Sequence, residues 1–221
     1  MARVVERARA VPGIDHLVVA TDSLEVAAAL VPWGVTIVMT EPSHESGTDR
    51  VAEVARRPEY AHCEIVVNLQ GDEPFMPVEA VSGAIARAHQ GDAIGTAAAP
   101  LDPALRHETT LVKVVADARG RALYFSRAAI PCVRDEAVLA EVRWWQHLGV
   151  YAYRREALLR VTALPVCALE RAERLEQLRA LDAGLTIGLA FLDRPAPAGI
   201  DTPADLAAAE ARWFELPEGP R

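Results

Sequence analysis

The sequence is poor in several features that define common classes of protein. Only three cysteines occur among 221 residues, Cys63, Cys132 and Cys167, and no two of them form a C-x-x-C pair. This odd, scattered set argues against a disulfide framework and against a zinc site, and it favours reduced thiols. No apolar run approaches the ~20 residues of a membrane span, and the first ten residues lack the apolar centre of a signal peptide. We therefore expect a cytoplasmic protein with no membrane partner.

Positive charge is scarce too, since 23 Lys and Arg stand against 31 Asp and Glu, a net charge of −8. A nucleic-acid binder whose affinity rests on neutralising phosphates needs the opposite balance. The motifs G-x-G-x-x-G, G-x-x-x-x-G-K-[ST] and G-x-S-x-G are all absent. Their absence argues against a nicotinamide-dependent Rossmann enzyme, a P-loop NTPase and an α/β-hydrolase. A small anionic substrate held by a few arginines remains compatible with the composition.

What the sequence does contain is an alternation of apolar runs and helical segments. Four buried strands are predicted, at residues 16–20, 35–39, 64–69 and 94–99. Three helices are predicted between and after them: one that begins with a capping box at Asp22 and Glu25, one over 48–57 and one over 77–90. Continuous apolar strands that alternate with helices are typical of an α/β fold with a mostly parallel sheet covered on both faces.

The middle of the chain changes to an antiparallel pattern. The runs at 111–116 and 122–126 flank the turn residues D-A-R-G, which predicts a β-hairpin, and residues 147–153 indicate a further strand. We interpret residues 101–166 as an antiparallel insertion or lid on the parallel core, within a single domain spanning 1–221.

The last third of the chain returns to the alternating pattern. A helix is predicted over 169–183 with Gly184 as its C-cap, followed by a strand over 186–192. The final helix begins with Thr202 as N-cap and Pro203 at its first position. These elements complete the predicted sheet and its helical cover.

Acidic residues follow two of the predicted strands. Asp72 and Glu73 lie in the segment N-L-Q-G-D-E-P, directly after the strand at 64–69, and Asp201 lies between the last strand and the last helix. Ligands of parallel α/β sheets bind beyond the carboxyl ends of the strands, and Mg²⁺ takes one or two protein carboxylates together with phosphate oxygens. A magnesium site is one interpretation. A plain polar turn at Asp72 and a helix start at Asp201 are the structural alternatives.

Two further groups of polar residues are candidates for binding. The loop H-E-S-G-T-D-R at 44–50 opens a helix whose first N–H groups can meet an anion or a base edge, although capping by Thr48 explains it as well. Polar residues also interrupt apolar elements, at Ser126, Arg127, Gln146, His147, Tyr151, Glu176 and Gln177. Arg127 is suited to a bidentate pair with a carboxylate. A core histidine at 147 and a solvated helix face at 176–177 are the alternatives.

Seven segments then stand in a characteristic order along nearly the whole chain. They are VVATDS at 18–23, HESGTDRVAEV at 44–54, VNLQGDEP at 67–74, VKVVADARGRALYFSRAAIP at 112–131, HLGVYAY at 147–153, LERAERLEQLRAL at 169–181 and GIDTPADL at 199–206. In this order they resemble the 3-deoxy-manno-octulosonate (Kdo) cytidylyltransferase family. The resemblance implies a GT-A-like nucleotidyltransferase fold, a homodimer, and transfer of CMP from CTP to Kdo for lipopolysaccharide synthesis, with release of pyrophosphate.

The resemblance also implies roles for individual residues. Asp72 and Asp201 match the two Mg²⁺-binding aspartates of the catalytic centre. The loop that holds the cytidine is matched by Ser46, Gly47, Thr48 and Asp49. The pocket for the sugar acid is matched by Gln70, Arg127, His147, Tyr151, Glu176 and Gln177, with Arg127 as the partner of the Kdo carboxylate. The metal ions would neutralise charge on the triphosphate and polarise the attacking hydroxyl.

One part of the family pattern is not in the sequence. In the family a strand and a loop that grips the triphosphate precede the segment matching Met1, and that strand lies between the strands matching 16–20 and 64–69. We therefore expect these two strands to lack a common neighbour and the native start to lie upstream. Losing one donor of such a loop costs about 100-fold or more in rate. The alternatives are a cytidylyltransferase for another sugar acid, such as amino-Kdo or an acylneuraminate, and a non-catalytic truncated relative.

Overall fold

The strands of the protein form two separate sheets. The computed structural model describes residues 1–197, 199–200 and 202–215. The smaller sheet pairs β1 (Val18–Thr21) with β2 (Thr36–Met39) in parallel. The larger sheet has six strands: β3 (Ile65–Leu69), β4 (Ile94–Pro100), β5 (Lys113–Ala116), β6 (Ala122–Ser126), β7 (Trp145–Arg154) and β8 (Ile187–Phe191). Each predicted strand is present within a few residues of its expected bounds.

Eight α-helices are present in the described part of the chain. They are α1 (Ala2–Arg9), α2 (Leu24–Leu30), α3 (Gly47–Arg56), α4 (Val78–His89), α5 (Arg155–Val161), α6 (Ala168–Glu173), α7 (Gln177–Asp182) and α8 (Pro203–Glu215). None of these helices combines the length and the apolarity that crossing a membrane would need.

The large sheet is mixed, where the sequence pattern favoured mostly parallel strands. Its order is β6-β5-β7-β4-β8, and β3 pairs with β7 as well. Strands β3 and β4 pair antiparallel to β7, whereas β4 and β8 are parallel. Strands β3, β4, β5 and β8 therefore share one direction, and β6 and β7 run against them. A continuous apolar run indicates a strand that is buried on both faces. Strand β7 meets this condition in the centre of the sheet, although it runs antiparallel to its neighbours.

Residues 101–166 are antiparallel, as expected, but they are not a lid set apart from the core. The β5-β6 hairpin extends one side of the large sheet, and β7 lies inside it between β3 and β4. The pairing of β7 links residues far apart in sequence, so the local hairpin pattern could not place it.

The core between α4 and the large sheet is built from small residues. Ala84 and Ala88 of the helix are buried against the sheet, and a Cβ at Gly95 of β4 would collide with the carbonyl oxygen of Ala84. Only glycine permits this close approach of the helix to the strand. On the other face, Phe125, Leu158 and other large residues form the main core cluster.

Two helix boundaries differ from the predicted ones. The helix expected over 169–183 is two helices, α6 and α7, because Arg174 adopts a left-handed backbone conformation with φ 54°. The cap of α2 is Ser23, whose Oγ accepts a hydrogen bond from the Val26 N–H, whereas Asp22 pairs with Arg50 at 3.0 Å. Local sequence does not distinguish neighbouring Asp and Ser as caps, because both are strong N-cap residues.

The interruption expected between the strands at 16–20 and 64–69 is confirmed. Among the described strands, β1 pairs with β2 alone and β3 pairs with β7 alone. A cavity of about 1140 Å³ lies between β1 and β3 and is lined by residues of both strands. The facing edges of the two strands therefore border open space.

Candidate active site

The cavity between the two sheets brings several predicted site residues together. Its walls include Gly47 and Thr48 from the start of α3, Gln70 and Asp72 from the turn after β3, and Glu176 from the start of α7. The turn after β3 lies beyond the carboxyl end of a strand, which is where α/β proteins bind their ligands. Candidates for the nucleotide, metal and sugar sites therefore share one cavity.

The turn after β3 places Asp72 at the surface of this cavity. The Glu73 N–H donates to the Gln70 carbonyl at 3.2 Å, which closes the turn. The Asp72 carbonyl in turn accepts a hydrogen bond from the Ile200 N–H at 2.9 Å, and Gly199 lies against the Glu73 carboxylate. The segment 199–200 is thus fixed to the Asp72 turn, while the predicted metal ligand Asp201 lies outside the described residues.

The start of α3 is organised by Ser46 rather than by Thr48. The Ser46 hydroxyl accepts from the Asp49 N–H at 3.1 Å and donates to the Asp49 carboxylate at 2.9 Å. A Cβ placed at Gly47 would meet nothing within 4 Å, so the helix begins beside open space. The N–H groups of a first helical turn have no intrahelical acceptor, and at Gly47 and Thr48 they lie at the wall of the cavity.

A direct hydrogen bond joins the candidate nucleotide loop to the candidate sugar pocket. The buried Thr48 hydroxyl donates to the Glu176 carboxylate at 2.7 Å, across 128 residues of sequence. Next to it, the Gln177 amide nitrogen is buried and finds no acceptor among the described residues. Gln177 lines a small cavity of about 10 Å³ together with Ser46 and Asp49, a space of about one water molecule. An unpaired buried donor here marks a place for a polar ligand or a water.

His147 and Tyr151 occupy the core of the large sheet and do not line the cavity. Their rings are in contact, with centroids 5.4 Å apart, and both are buried. Burial lowers the pKa of His147 to about 3 and raises the pKa of Tyr151 well above its usual value. The Thr96 hydroxyl donates to the Val150 carbonyl at 2.7 Å, so His147 Nε2 donates to the Thr96 oxygen at 3.0 Å. His147 is therefore a neutral, hydrogen-bonded core histidine.

Arg127 lies at the end of β6, outside the wall of the cavity. Its Nε donates to the Glu173 carbonyl and its Nη1 to the Thr109 carbonyl, each at 3.0 Å, while its own N–H donates to the Glu173 carboxylate. Lys113 also holds this segment, because its buried ammonium donates to the Arg127 carbonyl at 2.5 Å and to the carbonyls of Glu108 and Leu111. The guanidinium is thus held in one orientation.

Three residues that hold Arg127 in place or line the cavity were not singled out by the sequence analysis. Lys113 carried a signal, since a lysine inside the apolar run V-K-V-V is unexpected on a buried strand. Glu173 carried none, because it is one of two acids in α6 and no local feature distinguishes it from Glu170. Arg50 lines the cavity and is held by Asp22 and by the Thr40 hydroxyl at 2.6 Å. Its position follows from tertiary contacts between α3 and the small sheet.

Comparisons with known proteins show the family of this chain. The family described as cytidylyltransferase matches residues 1–187. The 3-deoxy-manno-octulosonate cytidylyltransferase of Gemmatimonas aurantiaca is 48% identical over 98% of this chain and 84% of its own length. The protein of the same name from Xanthomonas oryzae pv. oryzae is 47% identical over 95% of this chain and 84% of its own length.

Solved structures show the same fold. A structure of CMP:2-keto-3-deoxy-manno-octonic acid synthetase complexed with CTP superposes with a TM-score of 0.88 at 38% identity, covering 96% of this chain and 86% of the other. The 4-diphosphocytidyl-2C-methyl-D-erythritol synthase of Anaerococcus prevotii shares the fold alone, with a TM-score of 0.62 at 14% identity over 96% of this chain and 88% of the other. The α/β nucleotidyltransferase fold is confirmed, and the chain belongs to the cytidylyltransferase family, among the 3-deoxy-manno-octulosonate cytidylyltransferases.

Proposed function

We propose that this protein transfers the CMP group of CTP to Kdo and releases pyrophosphate. In this reaction the anomeric hydroxyl oxygen of Kdo bonds to the α-phosphorus, the bond from that phosphorus to the β-phosphate oxygen breaks, and the hydroxyl proton is lost. The observation that carries the proposal is the shared cavity, which joins the start of α3, the Asp72 turn and Glu176. The identity to the two named cytidylyltransferases supports it.

In this proposal the loop of Ser46, Gly47, Thr48 and Asp49 holds the cytidine. The hydrogen bonds of Ser46 fix the start of α3, so the N–H groups at Gly47 and Thr48 are oriented before a nucleotide arrives. Oriented donors at a helix start suit an anion or the edge of a base. The Thr48–Glu176 hydrogen bond then fixes the nucleotide loop relative to the neighbouring sugar site.

Asp72 and Asp201 are the residues that would hold Mg²⁺ in this reaction. The donor set fits, because Asp72 offers hard carboxylate oxygens at the cavity and leaves room for phosphate oxygens. The 2.9 Å hydrogen bond from Ile200 to the Asp72 carbonyl brings the residue before Asp201 to the same turn. When bound, Mg²⁺ supplies charge neutralisation on the triphosphate and polarisation of the attacking hydroxyl. The two aspartates supply the negative charge that retains it.

For the sugar acid we propose a site bounded by Gln70, Glu176 and Gln177, with Arg127 as the partner of the carboxylate. The buried, unpaired Gln177 amide supports a polar ligand next to the nucleotide loop. Arg127 is presented by its bonds to two backbone carbonyls, which restrict its rotamers. In this proposal His147 and Tyr151, which are buried and do not line the cavity, act through packing.

The direct test is pyrophosphate release by purified protein from CTP, Kdo and Mg²⁺. We expect release to need all three, and acylneuraminate or amino-Kdo to give much lower kcat/KM. A second preparation carries this chain joined at Met1 to the strand and triphosphate-gripping loop of a family member. Turnover with another sugar acid alone would move the assignment to that substrate. Folded protein that binds CTP in both preparations and releases no pyrophosphate would be a non-catalytic relative.

Replacing Arg127 by Met should weaken the binding of Kdo and leave the binding of CTP nearly unchanged. A charge-assisted hydrogen bond contributes about 1.5–3 kcal/mol, so we expect KM for Kdo to rise about 10–100-fold. The KM for CTP should change less than about threefold, because the residues proposed for cytidine lie at α3. Arg134→Met makes the same change at an exposed position nearby and should alter neither constant. Equal increases in both KM values would assign Arg127 a general structural role instead.

The acidic chain with three free cysteines supports a cytoplasmic setting for this reaction, since thiols stay reduced there. A homodimer is part of the proposal. It is supported by the β5-β6 hairpin, which ends the large sheet at β6 and exposes Leu123. An edge strand with an exposed apolar side chain is a surface that association would cover.

A further inference from the structure

A group of potential metal ligands, His16, His62 and Cys63, lines the same cavity as the Asp72 turn, but at the other end of β3. His16 lies two residues before β1, and Cys63 lies two residues before β3 with His62 next to it, so all three are near the amino ends of these strands. Asp72 follows the carboxyl end of β3, about 16 Å away along five strand residues. Among the described residues this is the group of three whose ligand atoms lie within 4.8 Å of one another.

The spacing of the three ligand atoms fits a tetrahedral metal ion. His16 Nε2 and His62 Nε2 are 3.2 Å apart, and Cys63 Sγ is 3.9 Å from His62 Nε2. Zinc bonds of about 2.0–2.1 Å to nitrogen and 2.3 Å to sulfur, at tetrahedral angles, place ligand atoms roughly 3.3–3.6 Å apart. All three ligand atoms lie within 4.8 Å of one another, so an approach of roughly 1 Å at most would bring them to these spacings.

The chemistry of the donors selects the ion. Two imidazole nitrogens and one thiolate are borderline and soft ligands, which suit Zn²⁺ and do not suit Mg²⁺. Both histidines are exposed and Cys63 is half-buried, which leaves the outer side open for a water as fourth ligand. We propose that His16 Nε2, His62 Nε2 and Cys63 Sγ bind one Zn²⁺ ion. This proposal does not rest on the proposed transferase function.

Such an ion would join the two sheets. His16 belongs to the segment leading into the small sheet, and His62 and Cys63 to the segment leading into the large one. The strands β1 and β3 share no backbone pairing, so the ion would link the two sheets across the cavity. A ligand that binds the folded state alone stabilises it by mass action. At free Zn²⁺ of about 100 times Kd, the Tm should rise about 5–10 °C.

The test uses the whole chain, first with Co²⁺ as a spectroscopic probe and then with Zn²⁺. We expect one Co²⁺ per chain, a thiolate-to-cobalt charge-transfer band, visible bands of a tetrahedral ion, and their loss on adding Zn²⁺. Cys63→Ser should abolish the charge-transfer band, and His62→Ala should abolish the Tm rise with Zn²⁺. Cys132→Ser and His107→Ala change the same residue types at exposed positions and should change neither readout.

The same variants would reveal a metal site at another position. A full charge-transfer band in Cys63→Ser, or an unchanged Tm rise in His62→Ala, would place the ion elsewhere and overturn it. Absence of a Tm rise in the unaltered chain would overturn it as well. Because all three ligands are at least partly exposed, these variants should fold, and the Tm without metal verifies that they do. Asp72→Asn should retain the cobalt spectrum, which separates this site from the proposed magnesium site.

Discussion

Asp72→Asn should lower kcat for pyrophosphate release at least about 100-fold while the protein stays folded. The change is isosteric and removes one negative charge at the cavity, where Asp72 is proposed to hold Mg²⁺. Loss of an electrostatic contact that stabilises the developing charge typically costs about 100–1000-fold in kcat. The substitution should not disturb the fold, because the Asp72 side chain is exposed. The hydrogen bond from Ile200 also survives, because its acceptor is the backbone carbonyl of Asp72.

The matched control for this variant is Glu79→Gln. Glu79 is exposed in the first turn of α4, a few residues further along the chain, and the change again converts a carboxylate to an amide. We expect near-normal kcat for this control and an unchanged thermal transition for both variants. A Mg²⁺ titration of activity should show a higher requirement in Asp72→Asn alone. Activity of Asp72→Asn within threefold of the unaltered chain would remove Asp72 from the metal site.

Sequence reasoning succeeded for elements whose signal is local. The runs before Asp72 and around Gly95 are short, apolar and bounded by turn residues, and they are strands in the structure. The N-cap of α8 was likewise predictable from neighbouring residues, and in the structure Thr202 Oγ1 accepts from the Asp205 N–H at 3.2 Å. The break at Arg174 was not predictable, because a non-glycine residue in the left-handed region depends on tertiary packing.

The site was predictable only in part, for a similar reason. Asp72 could be placed at a ligand-binding edge because the strand before it is evident and the rule for carboxyl ends is general. The contact of Thr48 with Glu176 joins residues 128 positions apart, and no local pattern encodes it. For His147 the sequence left a core histidine and a ligand-binding residue open. The structure places its ring in the core, edge-on to Phe125 with centroids 4.9 Å apart.

This placement of His147 has a consequence for stability at low pH. Burial lowers its pKa to about 3 from the usual 6.5, so the folded protein keeps the ring neutral where the unfolded chain protonates it. Between these two values the unfolded state binds one more proton than the folded state. The free energy of unfolding therefore falls as the pH falls from about 6.5 to about 3, and above pH 6.5 this contribution is constant.

His147→Gln should remove this contribution while keeping a donor near the Thr96 hydroxyl. Each unit of separation between the two pKa values corresponds to about 1.4 kcal/mol, so between pH 7 and pH 4 the unaltered protein should lose about 3 kcal/mol more than the variant. Urea unfolding at both pH values measures the difference, and His107→Gln is the control because it replaces a histidine at an exposed position. Equal losses in the unaltered protein and in His147→Gln would mean that the ring gains a proton in the folded state, by water entering the core or by local opening around β7.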